Sequence, residues 1–368
     1  MAEIGIGIIG GGYMGKAHAV AMSAVGAVFQ TALRPRLEMV AASSPESAER
    51  YRAAYGFARA TGDWRELVAD PAVEAVVIAT PSESHRPMTE AALSAGKHVL
   101  CEKPLADTLA NARAMLTTAR AAGRVHMTGF NYIRTPASQF VRQLLAEGRL
   151  GRVNWFRCEH TEDFLADPAA PFTWRCEGEG NGNLGDLAPH PVNLALAMMG
   201  PVAAVSAMAE TVHADRPGGR VSNDDHAQVM LRFAGGAMGH LYSSRVATGR
   251  KMGYAYEIFG ERGAIRFDQE DQNAIWLYEA EGPEATRGFR KVLTGPAHPD
   301  YEPFCLGPGH GTGYQDQIII EAKEFLTAIA EGRDAWPSFA DGVAVAEVIA
   351  AIRASAATGQ WVEVEHPT

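Results

Sequence analysis

Residues 4–18 read IGIGIIGGGYMGKAH, and this stretch decides the expected fold of the N-terminal part of the chain. Apolar residues alternate with glycine up to Ile9, as in a buried strand, and an alanine-containing run follows. Between them, Gly10, Gly12 and Gly15 fit G-x-G-x-x-G, the pattern with which a strand–turn–helix unit binds dinucleotide phosphates. The first glycine allows the tight turn, the second lets a pyrophosphate approach the backbone, and the third lets helix and strand pack closely. The stretch therefore predicts a dinucleotide-binding βαβ unit.

Outward from this motif, short apolar runs alternate with helical stretches as far as residue 130. Continuous apolar strands that alternate with helices are typical of a parallel sheet covered on both faces. We therefore expect a doubly wound Rossmann domain of about five or six strands over residues 1–130. The predicted strands are 4–9, 37–43, 73–80, 98–101 and 125–130.

Beyond about residue 150 the strands alternate apolar and polar residues, which indicates an antiparallel sheet with one wet face. The clearest pair, 226–233 and 237–245, is joined by Gly235-Gly236, a hairpin signal. Helices are predicted at 314–331 and 339–357. We expect residues 131–368 to form an α+β domain with a large open, mainly antiparallel sheet, and the last helices are free to pack against the first domain. The wet face predicts a homodimer or a homotetramer.

Composition narrows the class of protein. The chain has 368 residues, 47% of them hydrophobic and 21% charged, as in a globular protein of about two domains. Its 33 Lys and Arg against 43 Asp and Glu give a charge of −10, which argues against nucleic acid or an anionic membrane as partner. The four cysteines are widely spaced, so no metal site is expected. The N-terminus has no signal-peptide pattern, and we expect a cytoplasmic protein.

The end of the second strand bears on the cofactor. An NAD site usually has an acid there to bind the ribose hydroxyls, but this chain has Ser43 and Ser44. A serine does not repel a 2′-phosphate, and Arg34 or Arg36 could reach one through the preceding loop. We expect NAD or NADP, with NAD slightly favoured.

Two further segments carry residue types that suit acid–base chemistry. Lys103 follows the strand 98–101 at its carboxyl end, where ligands bind in open α/β sheets. Asp186 and His190 are four apart, and in a helical first turn they would share one face, with Pro189 tolerated there. By spacing alone, a capping acid, a surface histidine and a solvated lysine are the commoner explanations.

Five segments together resemble the Gfo/Idh/MocA oxidoreductase family over essentially the whole chain. They are GGGYMGKAH at 10–18, ATPSESH at 79–85, GKHVLCEKPL at 96–105, GFNY at 129–132 and GDLAPH at 185–190. RGFRKVLTGPAHP at 287–299 and PSFADG at 337–342 are similar to the levoglucosan dehydrogenase branch, and inositol dehydrogenase-like members come next. The departures are Ser44 for the usual acid, Pro189 and Pro191 in the last motif, and Asn193 where many members have an acid.

The resemblance implies an enzyme that oxidises a sugar, anhydrosugar or polyol with NAD or NADP, with Lys103, Asp186 and His190 as catalytic residues. Histidine has a pKa of about 6.5 and lysine of about 10.4, so we expect His190 as the base. Asp186 would orient His190 or bind substrate, and Lys103 would donate to the reacting oxygen. Two alternatives stay open: a glycosidase with an internal NAD redox cycle, and a non-enzymatic sugar-responsive regulator.

The other site residues are also implied by the resemblance. The expected cofactor-binding residues are Gly10, Gly12, Tyr13, Met14, Gly15, Ser43, Ser44, Thr80, Pro81, His85, Glu102, Lys103, Asn131, Trp174 and Arg175. The expected substrate-binding residues are Lys103, Tyr132, Glu162, Asp163, Trp174, Asp186, His190 and Tyr314.

Overall fold

The computed structural model of the chain describes residues 2–365, which fall into two units. The first unit runs to Arg134 and also includes Gly313–Val343. The second comprises Thr135–Thr312 and the described residues 344–365. A late segment, 313–343, therefore belongs to the unit predicted over residues 1–130, and it contains one of the two last helices that were left free to pack there.

The first unit has the predicted doubly wound architecture. Its six strands are all parallel, in the order β3-β2-β1-β4-β5-β6, so the predicted Rossmann sheet is confirmed. The elements are β1 (Ala2–Ile9), α1 (Tyr13–Phe29), β2 (Leu33–Ala41), α2 (Pro45–Tyr55), β3 (Arg59–Thr61), α3 (Trp64–Ala69), β4 (Ala75–Ile78), α4 (His85–Ser94), β5 (His98–Glu102), α5 (Leu109–Ala122) and β6 (His126–Gly129).

The rest of the chain builds a second, larger sheet. Its nine strands lie in the order β16-β15-β14-β13-β7-β12-β11-β8-β17, and only the β7–β12 pair in it is parallel, which confirms a mainly antiparallel open sheet. A separate two-stranded hairpin is formed by β9 and β10. The elements are α6 (Pro136–Ala146), β7 (Val153–Thr161), α7 (Asn183–Asp186), α8 (Pro189–Met199), β8 (Val202–Glu210), β9 (Asp215–Arg216), β10 (Gly219–Arg220), β11 (His226–Phe233), β12 (Met238–Ser244), β13 (Gly253–Gly260), β14 (Gly263–Asp268), β15 (Ala274–Glu279), β16 (Arg290–Leu293), α9 (Tyr314–Glu331), α10 (Phe339–Thr358) and β17 (Val362–Glu363).

Helix α9 joins the first unit because of its apolar stripe. Ile318, Ile319, Ala322 and Phe325 are buried at helical spacing, and the helix packs along α1. Buried apolar area of this kind fixes a late helix on an early one regardless of their distance in sequence.

The large sheet has one covered face and one exposed face. In β11, Val229 and Leu231 are buried whereas Gln228, Met230 and Arg232 are exposed, as period-two alternation predicts. Helices α6 and α8 pack on the sheet. Within residues 2–365, no helix combines the length and apolar character that a membrane span requires.

Candidate active site

The glycine motif joins β1 to α1 with three different local requirements. Gly10 has φ of 99°, a left-handed conformation that favours glycine, and a Cβ there would lie 2.4 Å from the Ala79 carbonyl oxygen. A Cβ on Gly15 would lie 1.9 Å from the Gly10 carbonyl oxygen, so only glycine lets helix and turn meet. Gly12 caps α1 and has nothing within 4 Å of an added Cβ. The open space over Gly12 is where a phosphate can reach the helix N-terminus.

A cavity of about 440 Å³ opens beside these glycines. Tyr51 and Trp64 supply aromatic surface to it, and Ser43 lines it at the end of β2. The cavity and the glycine cradle fit a dinucleotide, with aromatic walls for a base and backbone N–H groups for the phosphates. Of the predicted cofactor residues, the cavity lining includes Gly10, Gly12, Ser43, Thr80 and Pro81.

Ser44 is engaged in capping rather than in lining this cavity. Its hydroxyl accepts a hydrogen bond from the Ser47 N–H at 3.2 Å, and the Ser44 N–H donates to the Ser47 hydroxyl, which forms a capping box at the start of α2. Ser43 is thus the serine of this pair that faces the cavity, a distinction that the sequence could not make.

His85 ties together the two turns that carry predicted site residues. One ring nitrogen lies 2.8 Å from the carbonyl oxygen of Thr80, and the other lies 3.0 Å from that of Pro104. The ring is buried, and burial lowers its pKa although the surrounding oxygens oppose this shift. His85 therefore fixes the turn after β4 to the turn that follows Lys103.

Lys103 follows directly after β5, half-buried at the carboxyl end of the sheet. Its backbone N–H donates to the Glu102 carboxylate at 3.2 Å. The other carboxylate oxygen of Glu102 lies 2.7 Å from Nε2 of His18, which is fully buried on α1. Glu102 was predicted to bind cofactor, but the structure shows it held between His18 and the backbone of Lys103.

Three tyrosines form a row in the first unit. The ring of Tyr314, at the start of α9, lies 6.0 Å from that of Tyr13 and 6.2 Å from that of Tyr132. The Tyr314 hydroxyl contacts the sulfur of Met14, and burial raises the pKa of this phenol. The row lies where α1 begins, and it groups the predicted residues Tyr13, Met14, Tyr132 and Tyr314.

Asn131 lies apart from that row in its contacts. It is buried, and its side-chain amide donates to Gln317 of α9 at 3.3 Å. This hydrogen bond joins the segment after β6 to α9, so Asn131 has a structural contact that the resemblance did not indicate.

The second unit carries Asp186 and His190 on two consecutive short helices. Asp186 ends α7, and His190 is the second residue of α8, in which Pro189 occupies the first turn as expected. The single helical turn expected for both residues is interrupted at Leu187–Ala188, although both keep helical backbone angles, because Pro189 has no N–H to donate and the His190 N–H donates to the Leu187 carbonyl instead. His190 is buried, and Asp186 is half-buried.

Arg175 provides the charge opposite Asp186. Its Nε lies 3.4 Å from Oδ2 of Asp186, and its guanidinium carbon lies 4.3 Å from the Trp174 ring centre and 5.6 Å from that of Phe164. Trp174 and Phe164 are exposed. A carboxylate, a guanidinium and aromatic faces side by side suit a polyhydroxylated ligand, whose hydroxyls need hydrogen bonds and whose C–H faces need apolar surface.

Two predicted substrate residues, Glu162 and Asp163, follow β7 directly. Glu162 accepts from His160 at 3.0 Å, and the other ring nitrogen of His160 lies 3.1 Å from the Leu187 carbonyl oxygen. The hydrogen bond from the Lys251 ammonium, at 2.7 Å, lowers the pKa of Asp163 and fixes it to the neighbouring loop.

Sequence reasoning missed His160, whose ring lies 5.3 Å from that of His190. The available signal was its inward position in β7, where Phe156, Cys158 and His160 alternate with exposed residues. His18 stood inside the glycine motif, but its partner Glu102 is 84 residues away. The described part of the chain contains no group of three metal-binding side chains.

Comparison with known proteins agrees with an NAD-binding domain followed in the chain by a domain with a large open sheet. Residues 4–130 match the family described as "Oxidoreductase family, NAD-binding Rossmann fold", and residues 138–266 match the GFO/IDH/MocA C-terminal domain. The chain belongs to the Gfo/Idh/MocA family of NAD-binding oxidoreductases, as the resemblance indicated.

Several similar proteins bear the names of dehydrogenases. Levoglucosan dehydrogenase of Pseudarthrobacter phenanthrenivorans is 40% identical, with 99% of each chain covered. Inositol 2-dehydrogenase of Rhizobium meliloti is 30% identical, with 95% of this chain and 96% of the relative covered. A solved levoglucosan dehydrogenase in complex with NADH and levoglucosan superimposes with a TM-score of 0.96 at 40% identity, covering 99% of both chains.

Proposed function

We propose that the protein is an NAD-dependent dehydrogenase that oxidises a secondary or anomeric hydroxyl of a sugar, anhydrosugar or inositol-like polyol. The observation that carries this proposal is the pairing of Asp186, four residues before His190, with Arg175 beside exposed Trp174, which suits a polyhydroxylated ring. The relatives that bear the names levoglucosan and inositol dehydrogenase act on rings of this kind.

In the proposed reaction each unit has its own task. NAD, when bound, supplies the nicotinamide carbon that accepts a hydride from the substrate. His190 takes the hydroxyl proton as the C–H bond breaks, and Lys103 donates a hydrogen bond to the reacting oxygen. Asp186, paired with Arg175, accepts a hydrogen bond from a further hydroxyl of the ring. The Glu102 carboxylate fixes the backbone of Lys103.

The test of substrate class is a panel of inositols, aldoses and anhydrosugars with NAD and with NADP, followed at the absorbance of reduced nicotinamide. A dehydrogenase accumulates reduced cofactor in proportion to the sugar consumed. Cleavage of a glycoside without net reduction would instead identify the glycosidase. Binding of a sugar with no turnover of any panel member would favour the regulator.

The catalytic roles are tested with Lys103→Ala and His190→Ala. Each should lower kcat by about 10²-fold or more, the usual scale for removing an acid–base group. For His190→Ala, binding of NADH, measured by its fluorescence, should stay within about threefold, because neither the glycine motif nor any other expected cofactor-binding residue is changed. Either variant with kcat close to that of the wild type would contradict the assigned role.

We also propose that NAD is preferred over NADP. Among the described residues that line the dinucleotide cavity, none carries a charged side chain, so a 2′-phosphate finds no cation there. Ser43→Asp should raise the ratio of kcat/KM for NAD over NADP by about tenfold, because an acid binds ribose hydroxyls and repels the phosphate. Ser44→Asp is the matched control: aspartate also caps helices, so the ratio should change little. A larger effect at Ser44 would reverse the assignment.

The exposed face of the large sheet is proposed to join copies of the chain into a homodimer or homotetramer. One row crosses six neighbouring strands on this face: Met230, His240, Arg157, Glu257, Arg266 and Trp276. Met208, Met230, Met238 and Trp276 are exposed large apolar residues, which single chains rarely display together. Light scattering at micromolar concentration should give a particle mass of two or four chains. The double variant Met230→Glu with Trp276→Glu should lower this mass. The mass of one chain for the wild type would refute this assembly.

The expected compartment is a reducing one. Cys101, Cys158 and Cys176 are buried free thiols, and Cys305 is a half-buried one. Free thiols persist where glutathione and thioredoxin keep them reduced, so we propose that the enzyme acts in the cytoplasm. Detection of the protein in an oxidising compartment by fractionation would contradict this placement.

A further inference from the structure

A buried ion pair in the second unit does not take part in the proposed chemistry. Arg245, just after β12, is 1% exposed, and Asp225, just before β11, is 0% exposed. The Arg245 Nε donates to Oδ1 of Asp225 at 2.8 Å. The other carboxylate oxygen accepts from the Val212 and His213 backbone N–H groups at 2.8 and 3.0 Å. Such complete hydrogen bonding is what a buried charge pair requires.

The remaining donors of Arg245 are directed to one loop. Its Nη1 donates to the carbonyl oxygens of Arg175 at 2.7 Å and Asn181 at 3.2 Å. Its Nη2 donates at 2.7 Å to the side chain of Asn223, whose amide in turn donates to the carbonyls of Arg175 and Gly178. The Arg175 carbonyl therefore receives two donors from buried side chains. We call Arg245, Asp225 and Asn223 the Arg245 clamp.

The loop has few means of its own to hold this shape. Between Thr173 and α7 it contains only two three-residue helical turns, and no side chain caps either of them. Trp174 is exposed, and Arg175 is 39% exposed in its side chain. Fixing each residue of such a segment costs backbone entropy, so hydrogen bonds to its carbonyls decide its conformation.

The clamp and the candidate site meet in a single residue. The carbonyl of Arg175 is bound by the clamp, while its guanidinium pairs with Asp186 and lies over Trp174. We propose that Arg245 is a positioning residue for substrate binding, which holds the 174–181 loop so that Arg175 reaches Asp186. The inference rests on the proposed function, because it takes Arg175 and Asp186 as part of the substrate site.

The substitution Arg245→Lys tests whether the positive charge of Arg245 or the shape of its guanidinium group holds the loop. A lysine ammonium keeps the charge next to Asp225, but it lacks the planar fork that binds Asp225, Asn223 and the Arg175 carbonyl at once. Arg245→Lys should raise KM for the sugar by about tenfold or more, the loss expected for one misplaced charge-assisted hydrogen bond. kcat should fall by less than about threefold, since loss of binding common to ground and transition states raises KM alone.

A double-mutant cycle with Arg175→Met tests whether Arg245 acts through Arg175. If it does, Arg245→Lys raises KM in the wild-type background but changes it by less than about twofold when Arg175 is already methionine. Arg262→Lys is the control, because Arg262 also donates to a main-chain carbonyl, that of Gly148, which lies in none of the predicted site segments. The control should leave KM unchanged. Equal effects of Arg245→Lys in both backgrounds, or an equal rise in KM for Arg262→Lys, overturn the proposal.

Two measurements keep the proposal testable if Arg245→Lys folds poorly or the substrate class is wrong. Asn223→Ser keeps the ion pair and removes the amide contacts to the loop, so KM should rise in the same direction. Hydrogen exchange of the 174–181 amides should be faster in Arg245→Lys and Asn223→Ser than in the wild type, with or without turnover. A wild type that oxidises none of the panel refutes the proposed function, whereas unchanged exchange and unchanged KM refute the clamp alone.

Discussion

Each unit buries a group of charged side chains, and the two groups differ in how completely their hydrogen bonds are satisfied. In the Arg245 clamp, Asp225 accepts from three donors. In the first unit, His18, Glu102 and Glu321 form a second group, called here the His18 cluster. Within the described residues, neither carboxylate oxygen of Glu321 accepts a hydrogen bond, nor does Nδ1 of His18 have a hydrogen-bond partner.

This difference determines what each group can do. A buried charge with full hydrogen bonding stays charged and fixes geometry, as the clamp does for the loop at Arg175. A buried carboxyl without hydrogen bonds gains most by holding its proton, so its environment links folding to pH. The second unit therefore uses burial to position a loop, whereas the first unit has a protonation-dependent cluster beside the backbone of Lys103.

The pKa shifts in the His18 cluster follow from this reasoning. Burial raises the pKa of Glu321, and the Glu102 charge adds to this rise, while His18 and Arg134 oppose it. Burial alone would lower the pKa of His18, but the hydrogen bond and charge of Glu102, together with the Glu321 charge, raise it. Both groups hold protons in the folded state at pH values where the unfolded chain has released them. Their contribution to stability therefore falls as pH rises.

The largest effect is expected from removing one half of the clamp. Arg245→Met leaves Asp225 buried without its cation and should cost about 3–5 kcal/mol of unfolding free energy. For a domain of this size the thermal midpoint should fall by on the order of 10 °C. Differential scanning calorimetry measures this shift, and Arg262→Met, which removes a surface arginine, is the control. A fall of 1–2 °C, no larger than for the control, would show that the pair adds nothing to stability.

Some of this architecture could be predicted because it is encoded locally. The strand–glycine–helix unit at Gly10–Gly15 requires a glycine pattern that few other structures require. The alternation of apolar and polar residues in 226–233 indicates which side chains of this strand lie on the exposed face of the sheet. Short elements were missed, among them β3 (Arg59–Thr61) and β16 (Arg290–Leu293). A strand of three or four residues is too short for a hydrophobic periodicity to be recognised. Helix α6 (Pro136–Ala146) was also missed, although Thr135 caps it and Pro136 begins it.

The long-range contacts of the site could not be predicted from sequence patterns. Arg245 meets the carbonyl of Arg175 across 70 positions, and His18 meets Glu102 across 84. Ser43 and Ser44 are neighbours of one type, yet only the capping geometry at α2 shows which of them faces the cavity. Tertiary packing determines these partners, and the spacing of the residues in the sequence does not indicate them.

Glu321→Gln should change the pH dependence of the free energy of unfolding, with an effect between those of Arg245→Met and His18→Gln. Glutamine has the same shape but no charge, so the variant should resemble the wild type near pH 4, where Glu321 is protonated in both folded and unfolded chains. As pH rises above the ordinary glutamate pKa of about 4.3, only the wild type must hold a proton or bury a charge. The variant should therefore gain stability relative to the wild type as pH rises, by about 1.4 kcal/mol for each pH unit over which only the folded wild type holds the Glu321 proton.

Thermal midpoints of the wild type and Glu321→Gln, taken from about pH 3.5 to about pH 8.5, measure this difference. Other histidines do not obscure it, because the lowered pKa values of His85, His98 and His126 contribute equally to both proteins. A stability difference that is the same at every pH would mean that Glu321 has an ordinary pKa.

The smallest effect is expected for His18→Gln, which asks whether His18 contributes a hydrogen bond or a charge. The glutamine amide nitrogen can occupy the position of Nε2 and donate to Glu102, so the contact that supports the Lys103 backbone is kept. The imidazolium charge is lost. Because the folded pKa of His18 is raised, its ion pair stabilises the wild type fully below about pH 6.5, and this contribution disappears as pH rises through the raised value. The variant should therefore be less stable at pH 6 by about 1 kcal/mol and equal to the wild type at alkaline pH, with kcat within about threefold.

His18→Leu is the control that also removes the donor, and its kcat should fall further. If His18→Gln loses as much kcat as His18→Leu, the charge and not the hydrogen bond holds Glu102 in place.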